Sequence, residues 1–166
     1  MKILKDRDSR ELIKSVDPKL EPDNYNSLSK ADYERIQIKL PPIDALNYLS
    51  KILSSASEDS PWAIALLTDW SIFANDEDLF LYYQFRKSLG NHDHIIDGPG
   101  HLFLNFEYHE LRSLVSIALV NSWDLLVVTN TDHTRFKTSH DGFFDIVSCD
   151  EEFISSVNAF KKVRNL

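Results

Sequence analysis

Apolar and polar positions follow a helical period in some stretches of the chain and an extended period in others, and the switches between the two mark its elements. From Pro42 the run IDALNYLSKILSSA puts Ile43, Leu46, Leu49, Ile52 and Leu53 on one broad face, which predicts a helix near 43–55 with Pro42 in its first turn. A second helix is predicted over 76–89. Asn75 is its N-cap, Asp76, Glu77 and Asp78 lie over the positive end of its dipole, Arg86 and Lys87 occupy its last turn, and Gly90 is a left-handed stop. Leu111, Leu114, Val115, Ala118 and Leu119 form one stripe and predict a core helix near 107–121. Phe153, Ile154, Val157 and Phe160 predict a last helix near 150–162, capped by Ser148 or Asp150.

Extended segments are shorter and more continuously apolar. WAIALLTDWSIF suits a buried strand near 62–73, or two short strands turning near Thr68-Asp69, although a helix of the same length satisfies the periodicity too. Gly100 flanks a short strand near 101–105. Asp124 to Asn130 is the clearest strand, and segments near 134–139 and 143–148 continue it as a meander through the turn His140-Asp141-Gly142. Residues 1–42 read as a polar, partly helical lead-in, with helical pieces at Ser9–Val16 and Ser29–Ile36. The expectation is therefore an α+β fold, residues 1–166 forming one domain around a small, mostly antiparallel sheet packed by helices.

Composition narrows the setting. At 166 residues, 43% hydrophobic and 27% charged, the chain is large enough to bury a core without disulfides or a structural metal. Its one cysteine, Cys149, excludes an internal disulfide and a multi-thiolate zinc site, and is expected to be a small buried thiol. The charged N-terminus lacks a signal-peptide core and no run of apolar residues is long enough to span a bilayer, so a cytoplasmic protein is expected.

Charge is unevenly placed. Residues 40–160 hold six Lys/Arg against eighteen Asp/Glu, whereas residues 1–39 hold nine against eight and the last six residues add three basic groups to a net charge of -8. An acidic body argues against nucleic acid or an anionic membrane as ligand and favours a cationic protein partner.

Candidate chemistry concentrates in NHDHIIDGPGHLFLNFEYH, residues 91–109, which carries four of the six histidines. His92, His94, Asp97 and His101 are the residues that a small hydrolase using Zn²⁺ or Mn²⁺ would draw on, but their spacing fits no zinc signature. The dipeptides His92-Asp93 and His140-Asp141 superficially resemble those of the metal-dependent HD phosphohydrolases. That family's ligands project from helices, and here both dipeptides fall in turns, so the resemblance is not carried over. A Cys149–His140–Asp arrangement lacks a local activating feature. Gly98-Pro99-Gly100 lacks the third glycine and helix start of a phosphate cradle, and Glu107 with Glu110 is explained by a helix start.

The remaining candidate is a protein-binding patch in which Asp76, Glu77 and Asp78 neighbour exposed Tyr82 and Tyr83. No cofactor is implied. The order of core helix, Trp123-Asp124, hydrophobic strand and hairpin resembles small α+β immunity proteins in general form. The function expected is a non-catalytic, immunity- or inhibitor-type protein neutralising a basic toxin or nuclease. The alternatives are the metal-dependent hydrolase and a structural subunit buried through residues 79–85.

Overall fold

A computed structural model of the chain describes residues 1–23, 34–39, 60–70, 76–104, 107–130, 134–141 and 143–164. The expected helix near 43–55 and the cap at Asn75 lie outside them. In chain order the described elements are β1 (Lys2–Leu4), α1 (Asp6–Val16), β2 (Glu34–Lys39), β3 (Trp62–Asp69), α2 (Asp76–Ser88), β4 (Gly100–Leu104), α3 (Tyr108–Val120), β5 (Asp124–Thr129), β6 (Arg135–Thr138), β7 (Phe143–Ser148) and α4 (Glu151–Arg164). The fold is α+β, as the patterning predicts.

The sheet is larger than expected. Seven strands run in the order β1-β4-β3-β5-β6-β7-β2, every neighbouring pair antiparallel. The N-terminal segment, expected as a polar lead-in, supplies both edge strands. Of the helical turn expected at Ser29–Ile36, residues 29–33 lie outside the described set and 34–36 are corrected: ERIQIK at 34–39 alternates Ile36 and Ile38 with polar neighbours, a period of two that pairs with β7 in register, Ile36 opposite Ile146.

Registered partners share a face, so the pairing can be read across the sheet. One row runs Ile3, His101, Ala65, Val127, Phe136, Ile146, Ile36. It faces the main core, where Leu111, Leu114, Val115 and Ala118 of α3 and Ile154 and Val157 of α4 pack. On the opposite face Ile13 of α1 and Leu20 cover Ile64, Leu66, Leu126, Val128 and Val147. Burial on both faces explains why β3 and β5 read as unbroken apolar runs.

Helix ends follow the expected chemistry in part. Gly90 adopts φ 77° beyond α2, with Asn91 N–H donating to the Arg86 carbonyl at 3.0 Å and Gly90 N–H to that of Lys87 at 3.0 Å. The same motif closes α3 without glycine, Ser122 taking φ 53° while Trp123 N–H donates to Ala118 at 2.8 Å. Asp150 Oδ1 accepts from the amides of Glu152 and Phe153 at 2.9 and 3.0 Å, a side-chain N-cap for α4. Gly98-Pro99-Gly100 is more than a turn: a Cβ on Gly100 would lie 1.8 Å from Ser9 Oγ, so the glycine lets α1 rest on the start of β4.

Candidate functional site

Helix α2 positions most of the candidate residues, and its faces differ from the expectation. Tyr82 is fully buried, not exposed. Its hydroxyl accepts from Arg86 Nη1 at 2.9 Å and lies 2.8 Å from Nε2 of buried His101, while its ring meets Trp123 edge-on at 5.6 Å. Hydrogen bonding to two buried polar groups, added to ring burial, is what draws this tyrosine inward. Tyr83 is half-buried. Asp76, Glu77 and Asp78 begin the helix, but their side chains lie outside the described set.

What α2 presents outward is Phe80 and Leu81, 59% and 54% exposed. Phe80 stands one helical turn before Tyr83, and residues three apart are neighbours on a helix surface. Tyr83 carries the following loop: its hydroxyl accepts the Ile95 amide at 3.2 Å, and the His94 ring stands edge-on to it at 6.1 Å. The loop then exposes Ile96 at 74%, flanked by exposed Asp93 and Asp97. Phe80 and Leu81 on α2 and Ile96 in the loop are thus exposed apolar side chains, the loop being tied to α2 through Tyr83 and carrying the exposed acids Asp93 and Asp97.

The histidines do not converge. His92, His94 and Asp97 are exposed and His101 is buried, with the rings of Tyr83 and Tyr82 standing in series between His94 and His101. Among the described residues, no group of three or more His, Cys, Asp or Glu is placed to hold a metal ion. Burial, and then the nearby Arg86 charge, hold the His101 pKa down at about 3, against a smaller opposing effect of the backbone at Ala65 and Pro99. The imidazole is therefore neutral near pH 7. Tyr82 is pushed up by burial, more than Arg86 lowers it.

Other sequence candidates separate as well. Cys149 is exposed rather than buried. It follows the end of β7 whereas His140 precedes its start, so the six-residue strand keeps them roughly 20 Å apart. His140 Nδ1 lies 2.9 Å from Asp124 Oδ1, which also accepts the His140 amide at 2.7 Å, and this contact raises the His140 pKa. The pair fixes the β6–β7 turn. Glu107 accepts the Leu104 amide at 3.0 Å and pairs with the N-terminal ammonium of Met1. Although burial opposes them, these contacts lower its pKa.

A buried polar group lies on the other side of the sheet from the main core, where nothing local in the sequence marks it. Arg135, Lys137 and Asp145 are buried on the α1 face of β6 and β7, Lys137 directly opposite Asp145, and Arg135 pairs with buried Asp17 just beyond α1. Gln37 Nε2 donates to Asp145 Oδ1 at 3.2 Å. Only sheet register aligns these distant residues. An eleven-residue helix is about 16 Å long, and seven strands span roughly 29 Å, so α1 reaches β3 and β4 while its C-terminal end delivers Asp17 to Arg135.

Among the described residues no helix is long and apolar enough to cross a membrane. Compared with protein-family models, with curated proteins and with solved structures, the chain matches none.

Proposed function

We propose that the chain is a non-catalytic protein-binding protein that docks a cationic partner on the outward face of α2 and the loop 91–97. Its most concrete form is an immunity- or inhibitor-type protein of the cytoplasm that occludes a basic toxin or nuclease. The observation that carries this reading is the exposure of three large apolar side chains, Phe80 and Leu81 on α2 and Ile96 in the loop that follows it, together with exposed Asp93 and Asp97 in that same loop. Large apolar side chains anchor interfaces when water leaves them, and rim carboxylates steer an oppositely charged partner into register. The net charge of -8, concentrated in residues 40–160, supplies the longer-range attraction.

The test compares the wild-type chain with Phe80→Glu/Leu81→Glu as baits in a lysate of the native cell. A basic protein held by the wild type and lost by the variant is expected. Its association rate with the wild type should fall steeply as NaCl rises from about 50 to 500 mM, because screening removes the steering. Equal capture by both baits, or an association rate indifferent to salt, contradicts the proposal.

A further inference from the structure

Arg86 stands in the last turn of α2, as the sequence predicts, and its side chain is fully buried. Its guanidinium reaches both ends of the following loop. Nε donates to Asn91 Oδ1 at 2.9 Å, and Nη1 donates to the Gly98 carbonyl at 3.1 Å as well as to Tyr82 Oη. No carboxylate pairs with it among the described residues, and Nη2 is buried without a hydrogen-bond partner. A buried charge lacking a counter-ion is costly, so its position needs a reason beyond packing. The fork geometry supplies one: a guanidinium can hold several acceptors in fixed directions at once, and an ammonium or an amide cannot.

The loop between those two anchor points is tied internally to the same residues. Asn91 Oδ1 also accepts the Asp93 amide at 3.1 Å, and Asn91 Nδ2 donates to Asp93 Oδ2 at 2.9 Å. His94 carbonyl accepts the amides of Asp97 and Gly98 at 3.1 and 3.2 Å, which turns the chain so that Ile96 points outward.

We infer that Arg86 is the positioning residue of this surface: a buried latch that closes the loop 91–98 at both ends and so pre-shapes the segment that presents Ile96, Asp93 and Asp97. A surface ordered before binding loses less entropy on complex formation, which is what a tight inhibitor requires. The role given to the loop rests on the proposed function, but the latch itself does not.

Its test is amide hydrogen exchange of the free chain, which needs no partner, so its failure is distinguishable from failure of the docking proposal. In Arg86→Lys the amides of Asp93, Ile95, Asp97 and Gly98 should exchange on the order of tenfold faster, while those of β3 and β5 keep their protection. Asn91→Ala, which removes the acceptor of Arg86 Nε but leaves the guanidinium in place, should accelerate the amides of Ile95, Asp97 and Gly98, the Asp93 amide being set aside because it bonds Asn91 directly. The double variant should be no faster than Arg86→Lys alone. Loop exchange unchanged in Asn91→Ala, or acceleration in Arg86→Lys spread equally over loop and sheet, overturns the inference.

Discussion

Tyr82 Oη lies 2.8 Å from His101 Nε2, and the hydroxyl simultaneously accepts from Arg86. With its lone pair facing the guanidinium, the hydroxyl directs its proton to Nε2, so His101 keeps its own proton on Nδ1, which is buried without a hydrogen-bond partner among the described residues. The only polar member of an otherwise apolar row across the sheet is thereby held neutral.

That arrangement predicts acid sensitivity with a definite sign. His101 titrates at about 3 when folded and near 6.5 when unfolded, so below pH 6.5 the unfolded chain binds a proton that the folded chain refuses. Stability falls as pH drops through the window from 6.5 to 3. The loss from this group should reach roughly 3 kcal/mol at pH 4. Urea unfolding of wild type and His101→Gln across that range checks it: the wild type should lose stability more steeply, and parallel pH curves would contradict the assignment.

The pair of Arg135 with Asp17 ties the end of α1 to β6 at a buried position. Removing one partner leaves a buried charge behind, so Asp17→Ala should destabilise by about 3–5 kcal/mol. Exposed Arg7–Glu11, one turn apart on α1, provides the contrast, and Glu11→Ala should change stability far less than Asp17→Ala, because solvent screens the pair. Chemical denaturation of the two variants measures the difference.

Close approach of α1 to β4 makes Gly100 intolerant of even a methyl group, which would meet Ser9 Oγ at 1.8 Å and Ser9 Cβ at 2.9 Å. Gly100→Ala should cost roughly 1–3 kcal/mol. Ser9→Gly removes both obstructing atoms, so the double variant should be less destabilised than the sum of the single changes. Strict additivity in thermal or urea unfolding would show that the two residues do not share this contact.

Much of the fold is legible in the sequence because burial writes itself into pattern. Trp62–Asp69 and Asp124–Thr129 are apolar runs since both faces of the sheet are covered, and Gly90 and Asp150 mark helix ends by backbone and capping chemistry that local sequence carries. The edge strands are less visible. Lys2–Leu4 is three residues long and extended only through its pairing with β4, and the alternation of Ile36 and Ile38 is easily masked by polar neighbours on both sides.

The candidate site is legible only as a neighbourhood. Helix α2 is apolar nearly all round, so pattern alone gives no reason to place Phe80 outside and Tyr82 inside. That choice is made by Arg86 and by His101, nineteen residues from Tyr82. Likewise His92, His94 and His101 are close in sequence, but the tyrosine rings between His94 and His101 appear only once α2 and β4 are packed together.

Docking through α2 and the loop is tested most directly by placing a photo-crosslinking phenylalanine analogue at position 80, at position 96, or at the exposed control position 159 on α4, and irradiating each in the native cell. The prediction is a single basic protein joined from positions 80 and 96 and not from 159. Crosslinks of equal yield from all three positions, or to an acidic protein, would contradict it.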